Sequence, residues 1–175
     1  LEYFDIDGIQ CEKASTTLVD KHEFRTQWGC IGQGDTMVSP MQLMMWQSAI
    51  ATGTGKMTMP HLIDHVTNVN GDITETAETE FSKQLFSTDT ASTVKQMMLT
   101  NGTNNYSYSI GGYPLGVKSG TAQVEDGEKE NSLLVGFVDD PNKPIAFCIL
   151  IEDKNAGFAT TEQIARIMLD SINLQ

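Results

Sequence analysis

Basic residues are scarce in this chain: 11 Lys and Arg stand against 23 Asp and Glu, a formal net charge of −12. A nucleic-acid-binding surface needs a basic footprint, so the balance argues against that class of partner. Net charge says little about fold. Long apolar runs are also missing. No stretch approaches the 18 residues that a membrane-spanning helix needs, and no signal peptide opens the sequence at Leu1-Glu2-Tyr3-Phe4-Asp5. Cysteines number three, at positions 11, 30 and 148, with no Cys-x-x-Cys pair. An odd count without such a pair does not make a disulfide framework. A bridge between Cys11 and Cys30 stays open, because spacing alone does not fix disulfide geometry. Cys148, inside an apolar run from 145 to 151, reads as a small buried hydrophobe. Histidines are few as well. His61 and His65 have i, i+4 spacing but follow Pro60 in a strand-like run with no third ligand, and His22 stands alone. No metal and no cofactor are expected. What remains is ordinary globular material. Its 175 residues, 39% hydrophobic with 15 Gly, suffice for one domain with a core.

Residues 1–30 carry little periodicity and read mostly as loop. Ser39-Pro40 opens a helix, Ser39 as N-cap and Pro40 at the first position. From Met41 to Ala51 that helix is apolar nearly all round, so it is expected to be buried, and it stops near Gly53 and Gly55. Nine methionines, four of them between Met37 and Met45, are expected to fill core gaps. Residues 60–69 alternate like a strand, Asn70-Gly71 signals a hairpin, and 72–76 return. A helix is expected from about 89 to 100, with Ala91, Val94, Met97 and Met98 on one face. Asn101-Gly102 should end it, with a loop over 103–112. Three strands follow at about 115–124, 132–139 and 144–151. Turns at Asp126-Gly127 and Asp140-Pro141-Asn142 join them, and connections so short require an antiparallel meander. The last two strands are apolar on both faces, so helices should cover both sides. One cover is a C-terminal helix with a Thr160/Gln163 capping box and Ile164, Ile167, Met168 and Ile172 facing inward.

The chemistry concentrates in Gly116-Val117-Lys118-Ser119-Gly120-Thr121-Ala122-Gln123. An edge-forming strand here carries a cation, two hydroxyls and a glycine within four residues. Gly120 lets a ligand's backbone lie close, Lys118 supplies positive charge, and Ser119 and Thr121 donate and accept hydrogen bonds. That is a cradle for an extended peptide ending in a carboxylate. Strand alternation puts Ser119 and Thr121 on one face and Lys118 and Gly120 on the other, so Lys118 must reach the cleft by twist or by its length. Gln123 shares the Ser119 face and is a candidate for lining substrate.

Lys-Ser-Gly is one of three motifs shared by penicillin-binding proteins and serine β-lactamases, with Ser-x-x-Lys and Ser-x-Asn. The longer Lys118-Ser119-Gly120-Thr121-Ala122-Gln123 resembles the transpeptidase domain of class B penicillin-binding proteins. Ile31-Gly32-Gln33-Gly34 followed by Val38-Ser39-Pro40-Met41-Gln42-Leu43 resembles that family's Gly-Gln-Gly and Thr-Pro-Leu-Gln stretch. Leu134-Val135-Gly136-Phe137-Val138 resembles its penultimate strand. The resemblance runs over roughly residues 28–172. Asn131-Ser132 departs from it, where many relatives carry His-Ala or Asp-Ala. Gly32-Gln33-Gly34 lacks the marks of a phosphate loop and is taken as a structural turn.

The resemblance implies an α+β fold, an antiparallel sheet covered by helices, incomplete here. The chain 1–175 would be the C-terminal part of one transpeptidase domain. By the same resemblance, Lys118 adds positive potential, Ser119, Gly120, Thr121 and Gln123 bind substrate, and the Thr121 N–H serves an oxyanion hole. The implied ligands are the D-Ala-D-Ala end of a peptidoglycan stem peptide and β-lactams. The parent would be a serine D,D-transpeptidase outside the cytoplasmic membrane, anchored by a helix not in this sequence. No nucleophile is assigned. Ser92-Thr93-Val94-Lys95 fits Ser-x-x-Lys, but it lies only 26 residues before Lys118, where the family places more than a hundred. Ser171-Ile172-Asn173 fits Ser-x-Asn, but in the last turn of a C-terminal helix. The chain alone is therefore expected to be inactive. Its 144–151 edge is expected to pair with the missing N-terminal part of the domain or with another copy. Alternatives are a β-lactam sensor, a β-lactamase relative, or a non-catalytic scaffold module of the same fold.

Overall fold

A computed structural model describes residues 4–17, 19–124, 127–153, 157 and 159–173. The chain opens with a hairpin, β1 (Phe4–Ile6) and β2 (Ile9–Cys11), then a short helix α1 (Phe24–Gly29). Residues 1–30 are thus more structured than their weak periodicity suggests. Each element is too short to register as a pattern. Tertiary contacts hold the hairpin: Asp7 at its turn accepts backbone hydrogen bonds from Leu62 (2.5 Å) and Ile63 (2.9 Å). These two bonds hold the Asp7 carboxyl below its ordinary value. The stabilisation is therefore present above the normal Asp range and lost as pH falls through the lowered value. The Leu62 and Ile63 amides should lose protection, relative to their intrinsic exchange rates, only as pH falls below the ordinary Asp range, and Asp7→Ala should bring the same loss of protection at neutral pH. Hydrogen exchange read amide by amide checks both.

Helix α2 (Pro40–Ala51) starts as expected, and no residue beyond Pro40 is exposed. Ser39 Oγ accepts from the Gln42 N–H at 3.2 Å while the Gln42 side chain reaches back to the Ser39 N–H, a closed capping box. Met45, Ala49 and Met57 form a small core with Met41, Trp46, Met59 and Phe86 packed around it. Met37 and Met97 lie largely exposed, so not every methionine fills a gap. The 60–69 stretch pairs only over β3 (His65–Thr67), against β4 (Ile73–Thr76) across the Asn70-Gly71 turn.

Helix α3 (Thr88–Asn101) does not end at Asn101-Gly102. Gly102 keeps right-handed angles, and the chain continues through one π-helical turn (Gly102–Tyr106) into α4 (Ser107–Ile110). The glycine serves a close approach instead: a Cβ at Gly102 would sit 1.8 Å from the Leu115 carbonyl oxygen. The expected 103–112 loop is therefore mostly helical. On α3, Ala91 and Met98 are buried, whereas Met97 is not.

The three-stranded sheet has the order β5 (Leu115–Val124), β6 (Lys129–Val138), β7 (Ile145–Ile151), antiparallel throughout. Strand β6 starts three residues earlier than expected, pairing Lys129 with Val124. Asp126 of the expected turn lies outside the described residues. In the second turn, Asp140 accepts from the Asn142 and Lys143 amides. Leu115, Val117, Leu134, Val138, Phe147 and Ile149 share one face and build the main core with Ile110, Ala165 and Leu169. Helix α5 (Thr161–Asn173) thus covers that face, and α2 packs on β6 and β7 from the other, so both faces are covered as expected.

Helix α5 has the expected capping box, with Thr160 and Gln163 bonding reciprocally at 3.0 and 3.2 Å. Its buried side, however, is Thr161, Ala165 and Leu169, with Met168 partly buried. Ile164, Ile167 and Ile172 face outward. The sheet surface at Phe147 and Ile149 is bulky, and the small Ala165 lets the helix approach it closely. The three cysteines are free, Cys11 and Cys30 included. Cys148 is half-buried rather than fully so, and burial pushes its thiol up to about 11.

Candidate active site

The free edge of β5 is where the predicted residues meet. Pro114 accepts from the Asp139 N–H at 2.8 Å, which sets the ladder's phase. In an antiparallel pair, alternate residues bond to the partner and the rest aim outward. The backbone groups of Gly116, Lys118 and Gly120 therefore bond to β6, while those of Val117, Ser119, Thr121 and Gln123 leave the sheet. Three outward carbonyls already have donors. Asn101 Nδ2 donates to Val117 O at 2.8 Å, Lys118 Nζ donates to Ser119 O, and Gln33 Nε2 donates to Thr121 O at 3.0 Å. The Ser119 and Thr121 N–H groups share the outward direction and meet no acceptor among the described residues.

Lys118 shares its face of the sheet with Val135, its β6 partner, and that face is the α2-covered one on which the cavities open, so the expected crossing from the opposite face is not needed. The residue bends its ammonium to the strand edge at Ser119 O. It lines two open cavities. One, about 520 Å³, has an apolar wall of Ile50, Val94, Met97, Val117 and Val135, with Ser119 at its end. The other, about 470 Å³, runs along Ser119, Gly120 and Thr121 under Gln33, Leu43 and Trp46. Gln47 lines the first cavity, and its side-chain Oε1 is buried without a hydrogen-bond partner among the described residues. Gln123 is exposed and lies by a third, narrower cavity near Gln33 and Asn131. Asn131 itself accepts from the Asp153 N–H and ties β6 to the end of β7.

Other candidates fall elsewhere. Lys95 pairs with Asp139 at 2.7 Å rather than serving Ser92, and Ser92 lines neither cavity beside Lys118. Ser171 bonds back to the Ile167 carbonyl at 2.7 Å, within α5. His65 pairs with Asp64 at 2.8 Å, and His61 is exposed. Among the described residues, no group of three or more His, Cys, Asp or Glu could hold a metal ion. No helix among them is long and apolar enough to cross a membrane.

Two site residues were not legible as such. Gln33 was assigned to a turn and Asn101 to a helix stop. Gly32 and Gly34, both with positive φ (+76° and +68°), flank Gln33 and aim it, but its partner lies 88 residues away. No local pattern announces such a pairing.

The sequence matches the penicillin binding protein transpeptidase domain over residues 5–170. The chain belongs to that family. Structural comparison agrees on the fold. Penicillin-binding protein A of Mycobacterium tuberculosis, solved as its imipenem acyl-enzyme, superposes with a TM-score of 0.76 at 19% identity, covering 95% of this chain and 38% of that one. The D,D-transpeptidase domain of a peptidoglycan glycosyltransferase from Eggerthella lenta gives 0.64 at 24% identity, covering 81% and 33%. Penicillin-binding protein PBP2 of Helicobacter pylori, solved in complex with MreC, gives 0.60 at 23% identity, covering 85% and 26%. The chain thus spans well under half the length of these relatives. No match emerges among curated protein sequences. The family is one of penicillin-binding transpeptidases, enzymes of the serine acyltransferase type. Its β-lactam acyl-enzymes are represented among the structural neighbours.

Proposed function

We propose that this chain is the C-terminal part of a class B-type transpeptidase domain and forms the Lys-Ser-Gly wall of its active site. The parent crosslinks peptidoglycan stem peptides through a serine acyl-enzyme, and β-lactams trap that intermediate. One observation carries the reading: at the free edge of β5, the outward N–H groups of Ser119 and Thr121 stand beside the Lys118 ammonium, over open cavities. Such an edge suits a ligand whose terminus is a carboxylate and whose carbonyl gains negative charge in reaction. Lys118 and the Ser119 and Thr121 hydroxyls hold the carboxylate, Gly120 lets the ligand backbone approach, and Gln123 borders it. The Thr121 N–H is one donor to the oxyanion.

The nucleophile is supplied from outside these 175 residues. Neither cavity holds a serine with a lysine free to take its proton, since Lys95 is engaged by Asp139 and Lys118 by Ser119. The same missing portion pairs with the apolar edge of β7 and covers Ile164, Ile167 and Ile172. The parent works on the outer side of the cytoplasmic membrane, where stem peptides are.

Intact mass after incubation with penicillin G tests this, on the 175-residue chain and on the full-length parent in parallel. A penicilloyl adduct on the parent alone is the expected result. An adduct on the short chain would make Ser92 or Ser119 the nucleophile and overturn the division proposed here. No adduct on either would leave a non-catalytic module of the same fold.

A further inference from the structure

Away from the β5 edge, a polar groove lies between α4 and α5. It is an open cavity of about 490 Å³ lined by Tyr108, Ser109, Thr160, Glu162, Gln163 and Arg166. Tyr106 and Ile110 stand four residues apart and turn inward: Ile110 is fully buried and Tyr106 packs against the main core. Tyr108, midway between them, therefore points away from the core and is 98% exposed. An exposed aromatic is ordinary by itself. This one borders groups that keep hydrogen-bonding capacity. Gln163 Oε1 accepts from the Thr160 N–H at 3.0 Å, and its Nε2 has no acceptor among the described residues. One Glu162 oxygen accepts from the Thr161 hydroxyl at 3.2 Å, and the other is open. Arg166 meets Asp170 loosely, Nε to Oδ2 at 3.7 Å.

These features narrow the ligand. The groove is built on helices, whose backbone groups are already bonded, so no extended peptide can join it as a strand. Glu162 and Arg166 offset each other, so the groove selects neither an anion nor a cation. What fits is neutral, rich in hydroxyls and apolar on one face. An all-equatorial hexose has such a face: its axial C–H groups carry slight positive charge and stack on the negative face of an aromatic ring. An acetamido substituent adds an N–H for Glu162 and a carbonyl for Gln163 or Arg166.

We propose that this groove binds a saccharide, with Tyr108 as the stacking platform and Glu162, Gln163 and Arg166 as its polar rim. Its place suits a peptide carried on a glycan. Ser119 stands opposite Leu134 on β6, and Leu134 packs with Ala165 and Leu169 of α5. The groove thus lies on the α5 side of the sheet, whereas the cavities beside Lys118 open on the α2 side. A ligand can lay its peptide terminus along the β5 edge and its sugars against α5. That the sugars are those of peptidoglycan rests on the function proposed above; the saccharide site itself does not.

Ligand-observed NMR titration of the full-length parent with chitotetraose, a peptide-free oligomer of N-acetylglucosamine, tests the site in wild type, Tyr108→Ala, Tyr108→Phe and Arg166→Gln. Wild type should bind. Tyr108→Ala should weaken binding about tenfold through loss of the platform, and Tyr108→Phe, which keeps the ring, by no more than about twofold. Arg166→Gln should weaken it roughly threefold. Tyr108 is almost wholly exposed, so its variants should keep the wild-type melting temperature. Absence of binding by wild type would overturn the proposal, as would equal binding by wild type and Tyr108→Ala. Parallel incubation of wild type with penicillin G keeps the two readings apart. A penicilloyl adduct without saccharide binding defeats this inference alone, and saccharide binding without an adduct defeats the reading of the cleft alone.

Discussion

Gly102→Ala should destabilise the fold by about 3 kcal/mol or more, at the upper end of overpacking costs. The added Cβ would stand 1.8 Å from the Leu115 carbonyl oxygen and 2.8 Å from its carbon. Those are backbone atoms of a strand pinned by its ladder to β6, so no side chain can swing aside. In a chain of 175 residues this corresponds to a fall of roughly 6–12 °C in melting temperature. Gly112→Ala is the control. Nothing lies within 4 Å of its Cβ position, and a change of at most about 0.5 kcal/mol is expected. Equal melting temperatures for the two variants would mean that the π-helical turn does not press on β5 as described. The site should suffer as well, because Asn101 precedes Gly102 directly and holds Val117.

Thr121→Pro should lower the acylation rate of the parent by about a hundred- to a thousandfold, the loss typical of one oxyanion donor, while leaving the melting temperature within a few degrees. The reason is the phase of the ladder. The Thr121 N–H leaves the sheet, so proline removes that donor without breaking a bond to β6, as proline is tolerated on edge strands with the N–H side free. Its ring has room in the open cavity beside it. Gly120→Pro is the contrast: the Gly120 N–H bonds to β6, and its loss should unfold the edge. Stopped-flow acylation with a thermal melt of each variant separates the outcomes. A Thr121→Pro variant that acylates at the wild-type rate would remove Thr121 from the oxyanion site.

How much was legible follows from range. Ser39-Pro40, Thr160 with Gln163, and Asn70-Gly71 are local signals, and each element they announce is present. The meander is legible for the same reason, since turns of a few residues leave antiparallel pairing as the only geometry. The α5 face is where periodicity misled. Ile164, Ile167 and Ile172 make an apolar stripe, yet the helix turns Ala165 and Leu169 to the sheet. A stripe shows that a surface wants cover without saying which partner covers it. Gly102 misled in a different way, because glycine marks both helix ends and close approaches, and only the position of Leu115 tells which.

By itself the sequence determined the α+β class, the order of the three long strands and the cluster Lys118-Ser119-Gly120-Thr121, because these depend on neighbours within about ten residues. Only the tertiary structure decided which side of β5 is free, that Lys118 folds back onto Ser119, and that Gln33 and Asn101 close the outward carbonyls. The Asn101 and Gln33 contacts join segments 16 and 88 residues apart. A hydrogen bond over such distances depends on where the chain's packing places each segment, and no local propensity encodes that.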